Sequence, residues 1–292
     1  MNDPDGLADD YLQLLKGAVS HTLYAEVDGG IHYRRNLAAR GLLALLRRYG
    51  ITPVRTGARA ASDRAQGRDW PVFAQTMIGT ARLDSLQACV EDVVRSGVPG
   101  DLVEAGVWRG GASIFMRGIL KARGSNDRLV WACDSFAGLP EPDPAFPADA
   151  GGEPWHEFEH LSVGLEEVQA NFARYGLLDD HVRFAKGWFK DTLPELSGRT
   201  WALIRLDSDM YASTMDALAH LYPRLSPGGY LVIDDYSVDA CRQAVHDYRE
   251  AHGVREPIQA IDWTGAFWQR AWPAGSPAAT SGAGGGGRKL AS

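Results

Sequence analysis

Two short runs, RLDSDMY (Arg205 to Tyr211) and VIDDY (Val232 to Tyr236), carry four aspartates, and each run closes an apolar segment of strand character. In an open parallel sheet, ligands bind in the crevice beyond the carboxyl ends of the strands, so two neighbouring strands ending in aspartates aim them at one point. Magnesium and similar cations take oxygen ligands, and no Lys or Arg obviously neutralises this cluster, so a divalent cation is the expected occupant. Asp207 and Asp209 stand two apart and share a side if the strand is still extended there. The adjacent Asp234 and Asp235 reach one ion only if the chain has begun to turn. The separation of 27 residues between Asp207 and Asp234 fits one helix and two half-loops between neighbouring strands. The alternative, loop aspartates that cap helices, suits Asp235 and Asp239.

Three further motifs stand at strand ends. LVEAGVWRGGAS (Leu102 to Ser113) places glycines at a turn from strand to helix, where a ligand can approach the backbone and helix amides can receive an anionic group. An empty tight turn is the lesser alternative, and the run lacks the GxGxxG spacing of a dinucleotide site. CDSFAGLP (Cys133 to Pro140) puts Asp134 at the tip of the next strand, where an acid can accept both hydroxyls of a ribose or simply cap a turn. In KGWFKDTLP (Lys186 to Pro194), Trp188 or the Gly187 backbone could meet an adenine ring, although a Trp there is also a common core residue.

These residues need a frame that brings strand ends together. Strands are expected at 101–107, 128–134, 181–187, 201–207 and 230–234, with helices at 111–123, 163–175, 214–222 and 239–252. That alternation predicts an α/β fold with a mostly parallel sheet and helices on both faces. A hairpin at 257–262 and 266–270 closes the sheet edge. Ahead of the sheet, Leu12, Leu15, Val19 and Leu23, then Leu37, Leu42, Leu45 and Leu46, have helical spacing and predict two helices packed on the main domain. Between them and the sheet, residues 52–69 have no apolar period and read as a mobile loop carrying Arg55, Arg59, Arg64 and Arg68. It is a solvated linker or a lid that closes over substrate and clamps a phosphate. The domain reading is therefore an N-terminal helical lid region over 1–98, a catalytic domain over 99–272, and a disordered Gly-rich tail over 273–292.

Composition narrows the function further. A chain of 292 residues with 45% apolar content can bury a large core. A net charge of −7 argues against nucleic-acid binding as the main activity. No apolar run approaches the ~18 residues of a membrane span, and the acidic opening lacks the layout of a signal peptide, so a cytoplasmic protein without membrane insertion is expected. Cys89, Cys133 and Cys241 form no CxxC pair, and the histidines show no HxxxH or HxH pairing, so neither a thiolate nor a histidine metal site is indicated. His21 and His160 are the two worth watching.

As a set, the motifs resemble the macrocin O-methyltransferase (TylF/MycF) family of magnesium-dependent sugar O-methyltransferases. The likeness runs from YLQLLKGAVSHTLY through RDWPVFAQTMIGTARLDSLQ, VPGDLVEAGVWRGGASIFMRGIL, CDSFAGLP, VQANFARYGLL, KGWFKDTLPEL, LDSDMYASTMDAL and PGGYLVIDDY to DWTGAFWQR. It implies a class I (Rossmann-like) methyltransferase with a seven-stranded sheet, S-adenosylmethionine as donor, bound Mg2+, and a homo-oligomer, dimer or tetramer. By position it implies Asp207, Asp234 and Asp235 as metal ligands. Glu104, Gly106, Val107 and Trp108 would line the methionine part of the donor and Asp134 its ribose. Ser162, Gly187 and Trp188 would surround adenine, with Thr76 and Met77 closing over the donor. Asp209 is the first choice for the base and Asp207 the second, because a metal-bound carboxylate is the weaker base. The acceptor would be a sugar hydroxyl on a small-molecule glycoside, glycolipid or oligosaccharide. A catechol acceptor, or donor binding without turnover, are the alternatives. Gln269, where the family pattern suggests a basic residue, is expected near the acceptor.

Overall fold

The computed structural model describes residues 4–27, 29–30, 37–55, 57–150 and 154–273. Its centre is a seven-stranded sheet: β1 Asp101–Ala105, β2 Val130–Asp134, β3 Val182–Lys186, β4 Trp201–Leu206, β5 Leu225–Ile233, β6 Gln259–Ala260 and β7 Ala266–Gln269. The order is β3-β2-β1-β4-β5-β7-β6, parallel through β5 and closed by antiparallel β7 and β6. The chain steps outward from β1 to β3 and then returns to place β4 beside β1, which makes a topological switch point between those two strands.

The central strands are covered on both faces, as parallel strands must be, and β4 is buried at every position. Alternation divides the core in two. Leu102, Ala132 and Leu203 face one apolar cluster, whereas Val103, Cys133 and Ile204 face the other. The first face carries α1 Pro4–Val19, α4 Thr80–Arg95, α5 Gly111–Ala122 and α7 Leu165–Arg174. Against the second lie α8 Phe189–Thr192, α9 Tyr211–Leu221 and α10 Asp239–His252, and the short α6 Pro147–Ala150 packs on α9 and α10. Gly118 lets α1 lie directly on α5, since a Cβ there would overlap Leu15. Thus α1 and α4, although they precede the sheet in sequence, share one core with it.

Several expectations need correction. The segment read as a loop over 52–69 contains a helix, α3 Ala58–Ala65, with Ala60 and Arg64 buried one turn apart. An apolar-period search misses it because its anchor is an arginine, while the alanines favour helix. The helix α2 Leu37–Arg48 forms as expected, yet Leu42 and Leu45 are exposed, as is Leu23, so those leucines do not pack on the main domain. β5 starts at Leu225, five residues earlier than its apolar pattern suggests, because Pro227, Gly228 and Gly229 interrupt that pattern where the register with β4 shifts. Beyond Pro273, the tail lies outside the described residues.

Candidate active site

The aspartates come together because both strands end just before them. β4 ends at Leu206, and the Asp234 amide donates to the Leu206 carbonyl at 2.8 Å, which sets the two strand tips side by side. Beyond Ile233 the chain has turned, as one ion shared by Asp234 and Asp235 requires. One carboxylate oxygen each from Asp207, Asp234 and Asp235 lies within 4.8 Å of the others. Asp209 joins them by a different route from the one expected. Instead of continuing an extended strand, it takes a left-handed conformation (φ 53°), and its amide donates to Asp235 Oδ2 at 3.2 Å.

The expectation that no basic residue neutralises the cluster is overturned. Arg205, fully buried in β4, bonds Glu104 on β1, lies 3.0 Å from Asp207 Oδ2 and 2.6 Å from Asp234 Oδ1. Arg82, from α4, bonds the other oxygen of Asp234 and holds Asp262 at 3.0 Å. A buried arginine needs such partners, and a guanidinium with its planar fork of donors can hold three carboxylates at once. Its signal in the sequence was a lone charge inside the apolar run WALIRL.

Even so, the acids outnumber the cations. Among the described residues, neither Asp209 nor Asp235 has a cationic partner. Burial, with the charges of Asp207 and Asp234, pushes the Asp209 carboxyl up to about 7. Burial and the same neighbours together with Asp209 raise Asp235 well above the usual carboxylate range. Burial also raises Asp207, against the pull of Arg205. A group of oxygen ligands carrying surplus negative charge in a low-dielectric site suits a divalent cation.

Beside the cluster, a cavity of about 320 Å3 opens along the carboxyl ends of the strands. Of the residues expected around a donor, Met77, Gly106, Trp108, Asp134, Gly187 and Trp188 line it together with Asp207 and Asp209. Thr76, Glu104, Val107 and Ser162 are not in its wall. Glu104 is buried behind it, held by Ser113 and Arg205, and burial pushes its carboxyl up to about 7 despite both partners. Val107 is buried too and supports the wall through its amide, which donates to Asp134 Oδ2 at 2.7 Å. The other Asp134 oxygen accepts the Phe136 amide at 2.7 Å, so this carboxylate ties two strand-end turns together, with longer second bonds from the Trp108 amide and the Ser135 hydroxyl at 3.4 Å each. Thr76 is buried and Ser162 packs beside Gly138.

The glycines of the first turn have distinct tasks. Gly106 (φ 91°) packs so closely on Asp207 that a Cβ would overlap its carbonyl oxygen. A Cβ at Gly111 would strike the Gln75 backbone, whose carbonyl the Gly111 amide bonds at 2.9 Å. Sequence reasoning missed the loop that supplies Pro140, Glu141, Asp143 and Phe146 to the far wall, because its prolines and acids look like any turn. That loop is latched by Asp149, which accepts the Tyr211 and Ala212 amides at the start of α9 at 2.5 and 3.0 Å.

Other candidates lie elsewhere. His160 packs against Trp70 with ring centres 4.4 Å apart, and His21 lies 5.8 Å from Phe73. Arg68 sits over the Trp263 ring at 5.4 Å, Arg59 is exposed, and Arg64 is buried; none of the three lines the cavity. The Arg55 side chain is outside the described residues. Gln269, expected near the acceptor, bonds the Gly228 carbonyl at 2.9 Å near the start of β5, at the end opposite the aspartates, and does not line the cavity.

A sheet of this order, with a glycine turn after its first strand, an acid at the tip of its second and a cavity at the switch point, defines a class I methyltransferase. The family model described as macrocin-O-methyltransferase (TylF) matches residues 8–270. The chain belongs to that family and is an S-adenosylmethionine-dependent O-methyltransferase. It is 56% identical over 226 residues, 76% of this chain and 87% of its relative, to 8-demethyl-8-(2,3-dimethoxy-alpha-L-rhamnosyl)-tetracenomycin-C 4'-O-methyltransferase of Streptomyces olivaceus. It is 46% identical over 263 residues, 89% of this chain and 96% of its relative, to mycinamicin III 3''-O-methyltransferase of Micromonospora griseorubida. Among solved structures it is similar to the O-methyltransferase NovP, with a TM-score of 0.78 and 41% identity, covering 91% of this chain and 100% of that one.

Proposed function

We propose that this enzyme methylates a sugar hydroxyl of a glycosylated natural product, with S-adenosylmethionine in the cavity and Mg2+ held by Asp207, Asp234 and Asp235. The observation that carries this reading is the convergence of those three carboxylates within 4.8 Å beside the cavity. The names of the relatives, which act on a rhamnosyl tetracenomycin and on mycinamicin III, support a glycoside as acceptor.

In the cavity, Asp134 takes the ribose hydroxyls, Gly106 and Trp108 border the methionine part, Gly187 and Trp188 border adenine, and Met77 closes the wall. Val107 acts from behind through its amide bond to Asp134 and Glu104 through Arg205, while Thr76 and Ser162 stand beside Gly111 and Gly138 outside the wall. A sugar hydroxyl has a pKa far above 7 and must lose its proton as its oxygen bonds the methyl carbon and the carbon–sulfur bond breaks. The proton goes to the Asp209 carboxylate, which lies beside the ligands and is itself left out of the ligand set. A bound magnesium ion would raise the acidity of two neighbouring hydroxyls and orient them. We place the protein in the cytoplasm; among the described residues no helix is long and apolar enough to cross a membrane. The exposed Leu7, Leu14, Leu42 and Leu45 of α1 and α2 offer the surface for homo-oligomer contacts.

The test is methyl transfer against a panel of glycosides, a nucleotide-linked sugar and a catechol, with Mg2+ and with EDTA, after calorimetric measurement of donor binding. Transfer to a glycoside that EDTA abolishes is expected. Metal-independent transfer would overturn the metal assignment, and transfer to the catechol alone would overturn the acceptor.

A further inference from the structure

Among the described residues, Met77 is the one through which the chain before α4 reaches the cavity, and α3 holds it there. The Arg64 side chain is fully buried, and its Nη2 donates to the Met77 carbonyl at 2.5 Å and to the Ile78 carbonyl at 2.9 Å. Its Nη1 lies 3.0 Å from Asp69 Oδ1, which balances the charge. The turn after α3 is keyed into the same place. Thr80 Oγ1 donates to the Ala65 carbonyl at 3.1 Å, and Gly67 packs so tightly on Gly79 that a Cβ on either would strike the other's surroundings. On its outer side, Trp263 Nε1 donates to the Gln66 carbonyl at 2.9 Å.

The opposite side of the Met77 strap is held by separate elements. The Gln75 and Thr76 amides donate to the Val19 carbonyl at 2.8 and 3.2 Å, and the Arg109 guanidinium donates to the Val72 and Ala74 carbonyls at 2.8 and 3.0 Å. Those bonds secure residues 72–76. At Met77 and Ile78 the two carbonyls accept from Arg64, while the Ile78 amide donates to Thr76 Oγ1 at 3.3 Å. A buried guanidinium that spends two donors on successive carbonyls fixes the direction of the peptide between them, and with it the side chain of Met77.

We propose that Arg64, neutralised by Asp69, is a positioning residue for donor binding, which acts by fixing Met77 in the cavity wall. This rests on the reading of the cavity as the donor site. The basic segment that looked like a clamp for a phosphate thus clamps two of the protein's own carbonyls.

Calorimetric titration of S-adenosylmethionine into the wild type, R64M/D69N, M77A and the triple variant tests it, with urea denaturation of each. Removing both charges together avoids leaving Asp69 buried alone. The expected result is donor affinity about tenfold weaker in R64M/D69N, and a triple variant no weaker than M77A, because Arg64 acts through Met77. Unchanged affinity in folded R64M/D69N would overturn the proposal, as would losses that multiply in the triple variant. If R64M/D69N does not fold, R64K, which keeps the charge but loses the fork, is compared in the same way with M77A and R64K/M77A. A wild type that binds no donor would instead overturn the reading of the cavity, before any variant is compared.

Discussion

Arg205 and Asp234 meet across neighbouring strands, Nη2 to Oδ1 at 2.6 Å, so a residue assigned to the metal is also an ion-pair partner of a buried arginine. Each Asp234 oxygen has an arginine partner, Oδ1 in Arg205 and Oδ2 in Arg82, while one of the two lies within 4.8 Å of oxygens of Asp207 and Asp235. Carboxylates held in this way need little reorganisation when they take up a ligand.

Replacing Arg205 with Met should therefore damage stability as well as activity. Glu104 and Asp234 would remain buried without this partner, which costs about 3–5 kcal/mol. Urea denaturation should show that loss, and R205M/E104Q should recover part of it. A variant as stable as the wild type would mean that the ion pairs contribute nothing to the fold.

Magnesium affinity should rise with pH. The Asp209 carboxyl is pushed up to about 7 by burial and by Asp207 and Asp234, and burial and its acidic neighbours also hold Asp235 well above the usual carboxylate range, so the metal-free cluster retains protons that a cation must displace. Calorimetry in buffers of different ionisation enthalpy should detect proton release at pH 7 that shrinks as pH rises. The sign for stability follows. A carboxyl whose folded pKa is raised binds its proton more tightly when folded, so the metal-free protein loses stability as pH rises from the ordinary 3.8 to about 7. Added Mg2+ should reverse that loss, and a flat pH profile would count against the cluster.

Asp209→Asn should lower turnover by about a hundredfold or more while donor and metal still bind, since it removes the proton acceptor and leaves the ligands. Single-turnover rates and calorimetry on the same variant separate the two effects. Unchanged turnover would transfer the base role to Asp207.

Gly106→Ala should cost at least about 2 kcal/mol, because φ is 91° and a Cβ would overlap the Asp207 carbonyl oxygen. Gly124, with φ 68° but open space around it, is the control and should cost about 1 kcal/mol as Ala. Thermal melts of the two variants compare strain alone with strain plus collision.

By itself the sequence determined the alternation of strands and helices, the placing of Asp134, Asp207 and Asp234 at or just beyond strand tips, and the glycine at the Gly106 turn. These are local properties: apolar period, turn residues and strand length act over a few neighbours. Tertiary structure alone decided how the charges are shared. Arg82 and Asp234 are 152 residues apart, and no local pattern announces that they pair. The fully buried Arg205 in β4, the left-handed turn that returns Asp209 to Asp235, and the anchoring of α3 through Arg64 likewise depend on long-range partners. A lone arginine reads as surface until the fold supplies the carboxylates or carbonyls that make its burial tolerable.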